Sequence, residues 1–264
     1  ILQCLKHHLN KMVLERIISP DNYKGSYLKA TLFGIIITAI GLTIGYNLFP
    51  DDAALAAIFF ILIAAVPFFR TLMVQEERAE KTSHNLKEMI VRNKYALEYF
   101  FFFYAGIFLT YFVGALILPE TIQSALFGNQ FGVFKSVLGS FANQEHFYMI
   151  LFNNLKIVIL ALILSLIYGA GALMILTWNA SVLGVFLAQQ GLQLWKYLPH
   201  AGLEFLGFFA ASIAGGILSA GVEKHEVGTK NFKHVYEDAL FLAIAAVLII
   251  ILAAIVEVYV FPIF

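Results

Sequence analysis

The chain has 264 residues, of which 61% are hydrophobic and only 13% are charged, and its formal net charge is zero. Soluble domains are about half apolar and about a quarter charged, so a soluble fold of this size could not bury so much apolar surface. The single cysteine excludes an internal disulfide and a cysteine-based metal cage. The zero net charge argues against nucleic acid as a partner.

Long charge-free stretches predict the membrane segments. The runs 30–50, 99–119 and 157–195 contain no Asp, Glu, Lys or Arg, and about 20 apolar residues suffice to cross a bilayer core. These runs lack the alternation of apolar and polar residues that marks an outer-membrane strand, so they indicate an all-α polytopic transmembrane bundle. In chain order, we place spans at 27–49, 53–69, 97–118, 153–176, 180–197, 201–221 and 239–261.

The fifth segment, 180–197, decides between six and seven membrane segments. It contains Gln189, Gln190, Gly191 and Gln193, which suggest a short re-entrant or broken helix instead of a plain span. Basic residues favour cytoplasmic loops. With seven crossings and a cytoplasmic N-terminus, every Lys and Arg except Lys135, Lys156 and Lys196 falls on the cytoplasmic side of a cell membrane. Without the fifth crossing, the last loop and its lysines would move outside.

We interpret residues 1–264 as a single membrane domain. Residues 1–26 are predicted to hold a cytoplasmic interfacial helix, because their leucines recur on one helical stripe, and we expect the first span itself to be the targeting signal. Residues 70–96 form a charged cytoplasmic loop. The Phe-rich external segment 119–150 either lies on the membrane surface, covers the bundle as a lid, or packs on it as a hydrophobic plug. Residues 150–221 form the core that carries the candidate site.

Small residues recur at helical spacing on three of the spans. Such faces allow helix backbones to approach closely in lipid, so they are predicted to be packing seams and not pore linings. The three sets are Gly34, Thr38, Gly41 and Gly45; Gly106, Thr110 and Gly114; and Gly207, Ala211, Gly215 and Ser219.

Few polar side chains interrupt the apolar sequence, and an ionisable group inside a membrane costs several kcal/mol unless it is satisfied. His200 and Glu204 are four residues apart and therefore share one helix face. In the seven-span topology the fourth and sixth spans begin at the same side, so most of the polar set should converge at one depth. The candidate intramembrane cluster, with a binding or a structural role, is Asn153, Asn154, Lys156, Asn179, His200 and Glu204.

This cluster has three interpretations. It is a structural clamp if Glu204 pairs with Lys156 while the asparagines and Pro199 cap helix ends. It is a substrate, ion or proton site if the carboxylate tunes the neighbouring imidazole. Catalysis is the third. One His and one Glu are too few ligands for zinc, so we expect no metal.

Other sequence signals add little chemistry. No P-loop, nucleophile elbow, HExxH motif or dinucleotide fingerprint occurs, so we expect no cofactor, no catalytic residue and no enzymatic activity. Glu257, near the end of the last span, lies either among lipid head groups or against the bundle.

Three stretches nevertheless resemble a known family. They are Asn153-Asn154 with the apolar helix that follows, Trp178-Asn179-Ala180-Ser181-Val182-Leu183-Gly184, and Leu198-Pro199-His200-Ala201-Gly202-Leu203-Glu204. Together, over about residues 150–221, they resemble the stage II sporulation protein M family. Ala180 stands where that family commonly has Gly, and Ala201 separates His200 from Gly202, but the order and spacing of the polar groups match.

The resemblance implies a non-enzymatic membrane protein that acts as a scaffold or assembly component. In spore formers the namesake anchors and localises peptidoglycan-degrading partners, but many relatives occur in organisms that make no spores, so we do not carry that role over. The implied partners are the lipid bilayer, membrane or envelope proteins, and a second copy of the chain. The alternatives are a transporter or channel with a polar site at His200 and Glu204, and thirdly an intramembrane hydrolase.

Overall fold

The structure, a computed structural model, describes residues 27–79, 86–139, 146–168, 171–226 and 228–260, and no strand occurs within these ranges. The predicted interfacial helix of residues 1–26 lies outside them. The described α-helices are α1 Tyr27–Leu48, α2 Ala53–Ala79, α3 Leu86–Ile117, α4 Glu120–Gly139, α5 His146–Tyr168, α6 Leu173–Gln189, α7 Leu198–Lys224 and α8 Lys230–Ile255. A 3-10 segment, Gly191–Lys196, precedes α7, and a π-helical turn, Val256–Val260, extends α8.

Six of the described helices are long and apolar enough to cross a membrane, which confirms the predicted all-α polytopic bundle. These stretches are Tyr27–Leu48, Ala53–Leu72, Lys94–Ile117, Phe147–Tyr168, Leu198–Lys224 and Lys230–Val260. Helix α6 is a shorter apolar helix of 17 residues. The predicted loop 70–96 is largely helical, because α2 and α3 continue beyond their apolar stretches.

The predicted fourth span, 153–176, is wrong as a single helix. Helix α5 begins earlier, at His146, and ends at Tyr168, and α6 starts at Leu173 after a turn. Hydropathy does not mark the break, since Gly169 to Ala172 carry no charge. At the turn the backbone of Gly171 lies against that of Leu164, where a Cβ atom would collide with the Leu164 carbonyl oxygen. Glycine therefore permits the reversal.

Contacts between α5 and α7 show that these two helices run parallel. Asn154, early in α5, bonds Glu204, early in α7, and Leu162 further along α5 packs on Gly215 further along α7. The chain between them must therefore return across the bundle. Helix α6 supplies about 26 Å of that path at about 1.5 Å per residue, and the 3-10 segment completes it. The predicted segment 180–197 is thus the second part of a broken crossing element.

The directions of the helices define two ends of the bundle. At one, the Tyr27 hydroxyl donates to Glu98 at 2.7 Å, and Arg70 pairs with Glu223 at 3.5 Å. We call this the charged end. The opposite end holds the start of α5, the end of α6, the 3-10 segment, the start of α7 and the end of α8. We call it the polar end.

Small residues form the seams between helices, as predicted. A Cβ atom on Gly34 would overlap the Phe103 carbonyl oxygen, and one on Gly106 would overlap that of Thr31, so α1 and α3 cross with their backbones in contact. Further close approaches join α1 to α2 at Gly41 and Gly45, α5 to α7 at Gly215, and α7 to α8 at Gly207.

Helix α4, within the Phe-rich segment, packs one face into the bundle. Phe127 is fully buried with its ring centroid 5.6 Å from that of Tyr111. Gln130 is also buried, and its Nε2 donates to the Ser181 hydroxyl at 3.2 Å. Because Ser181 lies midway along α6, α4 reaches well into the bundle. Of the three arrangements considered for the Phe-rich segment, the contacts of Phe127 and Gln130 match a plug packed on the bundle.

Candidate functional site

The candidate site begins with a bond between α5 and α7 at the polar end. The Asn154 side chain is buried, and its Nδ2 donates to Oε1 of Glu204. The α5–α7 seam at Gly215 sets the rotation of both helices, so that Asn154 faces α7. Pro199 lies in the first turn of α7, where a missing N–H costs nothing, and the helix then presents His200 and Glu204 on one face.

His200 is the second buried member of the site. Its side chain is only 6% exposed, and its ring lies 6.1 Å, centroid to centroid, from that of Tyr197. Within the described residues, its Nδ1 has no hydrogen-bond partner. A buried polar atom without a partner carries an uncompensated desolvation cost. His200 therefore has an unused hydrogen-bonding position inside the protein.

Tyr197 and Gln190 tie the end of α6 to the start of α7. The Tyr197 hydroxyl donates to Oε1 of Gln190 at 3.2 Å, and Nε2 of Gln190 donates to the Phe186 carbonyl at 3.4 Å. This bridge spans the 3-10 segment and holds it against the site.

Glu257 joins the site from α8. Helices α7 and α8 run antiparallel, with Gly221 against Val235 and Gly207 against Ile250. Continuing this register brings the π-helical turn, and Glu257 within it, to the start of α7. The π-helical turn contacts α7. Of the two positions left open by the sequence, Glu257 therefore takes the one against the bundle.

Three members of the predicted cluster lie apart. Asn153 and Lys156 are exposed on α5, and Nδ2 of Asn179 donates at 2.7 Å to the Ile175 carbonyl of its own helix. Positions one before and two after Asn154 point about 100° and 200° away from it around a helix, so they cannot face α7 with it. The suggested pairing of Glu204 with Lys156 is consequently wrong, and neither Asn154 nor Asn179 caps a helix.

Sequence reasoning missed Tyr197 as a site residue and did not join Gln190 or Glu257 to the cluster. Gln190 carried a signal, since it marked the segment as broken. Glu257 also carried a signal, because it is an acidic residue directly after the long charge-free run of the last span. Tyr197 carried no sequence signal apart from its position at the start of a helix.

Within the described ranges the cluster forms no group of metal ligands, and two cavities of the bundle lie apart from Asn154 and Glu204. No three His, Cys, Asp or Glu side chains there come together as metal ligands. A cavity of about 370 Å³ lies between α3, α6 and α7, and another of about 620 Å³ lies between α1, α3 and α4. Their linings are apolar almost throughout and include neither Asn154 nor Glu204.

The sequence comparisons bear on the whole of this site. A family model described as Stage II sporulation protein M matches residues 99–262, which include α4 to α8 and every residue of the site. The match is more than twice as long as the stretch that carried the resemblance. No curated protein and no solved structure matches the chain.

Proposed function

The chain belongs to the stage II sporulation protein M family, and on that premise we propose that it is a membrane scaffold or assembly component without enzymatic activity. The bond between Asn154 and Glu204 carries this proposal. A transport site would keep these groups open to water, whereas here they close on each other and join α5 to α7. The cavities described above offer no polar route to them.

The proposal includes an orientation. The charged end, with Arg70, Lys94, Lys224 and Lys230, would face the cytoplasm of a cell membrane, and the N-terminus would lie on the same side. The polar end would face outward. Partners would then be membrane or envelope proteins held laterally or from outside, or a second copy of the chain.

Cysteine accessibility in native membranes tests the closed cluster. In a background with Cys4→Ser, single cysteines replace Asn154 or Glu204, and Asp52→Cys, at an exposed position of the polar end, serves as the matched control. We expect a membrane-impermeant thiol reagent to label Asp52→Cys at least tenfold faster than the two cluster positions. Folding of each variant is checked by its melting temperature.

The opposite outcome separates the alternatives. Rapid labelling at both cluster positions would mean that water reaches them, and the scaffold proposal would give way to a transporter or channel. Native gel electrophoresis in mild detergent supplies a second readout, because a scaffold should migrate within complexes larger than one chain. Slow labelling combined with a chain that is always monomeric would also contradict the scaffold role.

A further inference from the structure

Lys156 is a charged residue inside a membrane-spanning stretch. Its helix, α5, spans Phe147–Tyr168, and the exposed Tyr148 and Tyr168 mark the two interfaces. At about 1.5 Å per residue these tyrosines are about 30 Å apart, which is the thickness of the hydrocarbon core. Lys156 is then about 12 Å from the nearer interface, and its four-carbon stem covers only about 6 Å of that distance. Its ammonium group therefore does not reach the lipid head groups.

The side chain of Lys156 points away from the bundle. Asn154 and Val158, two residues to either side of it, are buried, whereas Lys156 is exposed. The α5 face is the exposed set at three- and four-residue spacing around it: Met149, Phe152, Lys156, Ile159 and Ile163. Within the part of the chain that the structure describes, Lys156 forms no ion pair and no hydrogen bond. Ionisable groups in membrane spans almost always face the interior or pair with another group, so this exposed lysine indicates a contact outside the chain.

The spacing of the α5 face is that of a seam between two helices. Residues at alternating intervals of three and four pack as knobs into the holes of a facing helix, and a single lysine among them specifies the partner at a cost in stability. Asn153, three residues before Lys156, is exposed as well. Helical side chains lean towards the N-terminus, so the lysine extends in the direction of Asn153. An ammonium group and an amide are thus available to one acceptor.

We propose that the α5 face binds a transmembrane helix of another membrane protein, and that an Asp or Glu in this helix pairs with Lys156. The depth of the ammonium group favours a carboxylate of a protein over the phosphate of a lipid. A second copy fits poorly, since a two-fold axis along the membrane normal would oppose two lysines at the same depth. Glu204, a carboxyl near this depth, already bonds Asn154 of its own chain. The inference rests on the proposed scaffold role, because it names the contact that would hold the partner.

A membrane-permeant carbodiimide, applied to native membranes, tests the pair directly. The reagent activates a carboxyl group, and an adjacent lysine amine then displaces the activating group to form an amide. We expect the wild-type protein to give one adduct, heavier than the chain but not of twice its mass. Mass spectrometry of the cross-linked peptides should join Lys156 to an Asp or Glu within an apolar run of the partner.

Two arginine variants sharpen this test. Lys156→Arg should reduce the adduct roughly tenfold or more and retain the complex on native gels, because a guanidinium pairs with a carboxylate but does not form this amide. Lys196→Arg, the matched control at the polar end, should retain both the adduct and the complex. An adduct of undiminished yield in Lys156→Arg would place the contact at another lysine and overturn the proposal.

Lys156→Leu separates this inference from the scaffold proposal. The change removes a cost of insertion, so the chain alone should keep its melting temperature in nanodiscs. The carboxylate of the partner loses its cation, so the amount of complex should fall roughly tenfold or more. A complex that survives Lys156→Leu undiminished would overturn the inference and leave the scaffold proposal standing, whereas a chain that is always monomeric would overturn both.

The mass of the adduct identifies the other occupants. An adduct of twice the chain mass would assign the α5 face to a second copy. An adduct heavier than the chain by a single lipid would assign it to an anionic lipid. Either result contradicts the proposal.

Discussion

The two ends of α7 carry the same side chain in opposite surroundings. Glu204, near its start, accepts a hydrogen bond from the buried Asn154, whereas Glu223, near its end, pairs with Arg70 at 3.5 Å while both side chains remain exposed, by 60% and 64%. Water can replace either partner at the charged end, whereas at the polar end Asn154 is buried and Glu204 is only partly exposed. The contribution of a glutamate to this protein therefore depends on burial and not on charge alone.

The largest effect that separates the two ends is expected from Asn154→Leu. This change leaves the partly buried Glu204 carboxyl without its donor, and an orphaned buried polar group costs up to about 1–3 kcal/mol. Thermal unfolding in lipid nanodiscs measures the loss. Asn153→Leu is the matched control, because Asn153 is adjacent but exposed.

A second variant sharpens that prediction. Replacing both partners, Asn154→Leu with Glu204→Leu, should recover much of the lost stability, since the pair can be exchanged for apolar groups at little cost. If Asn153→Leu destabilises as much as Asn154→Leu, or if the double variant is no better than the single, the bond is not what distinguishes the polar end.

A smaller effect of opposite sign is expected from His200→Leu. No hydrogen bond to Nδ1 is lost, and an unsatisfied buried atom is removed, so the free energy of unfolding should stay unchanged or rise by up to about 1 kcal/mol. Thermal unfolding again gives the measurement. A loss greater than about 1 kcal/mol would show that the ring is bonded more strongly than its described surroundings indicate.

The smallest effect belongs to the charged end. Arg70→Ala removes an exposed ion pair, and such pairs contribute about 0–1 kcal/mol, less at high salt. Unfolding measured at low and high salt should show a difference only at low salt. A large, salt-independent loss would mean that both ends of α7 depend on buried polar bonds, and the contrast between them would disappear.

Hydropathy and charge predict much of this architecture. The spans α1, α2, α3, α7 and α8 were recognisable because charged residues flank their apolar runs, and the small-residue faces identified the seams. The boundary between α5 and α6 was not recognisable, because the glycines and alanines at positions 169–172 carry no charge. The turn depends on a close backbone contact with Leu164, which no hydropathy window detects.

The candidate site was predictable only in part. Spacing placed His200 and Glu204 on one face, and topology placed Asn154 at their depth. Whether Asn153 or Asn154 faces α7 depends on the rotation of α5, which the packing of Gly215 on Leu162 determines. Glu257 depends on the register of α7 against α8 and on the π-helical turn, and both are properties of tertiary packing.

The bond between Gln130 and Ser181 also bears on how the protein is made. The two residues are 51 positions apart, and chains grow at about 5–20 residues per second, so Gln130 leaves the ribosome about 3 to 10 seconds before its partner. During that interval the amide has no α6 to bond, and lipid offers no substitute. Insertion of α4 between its neighbours must therefore be a late step of biogenesis, after α6 has entered the bilayer.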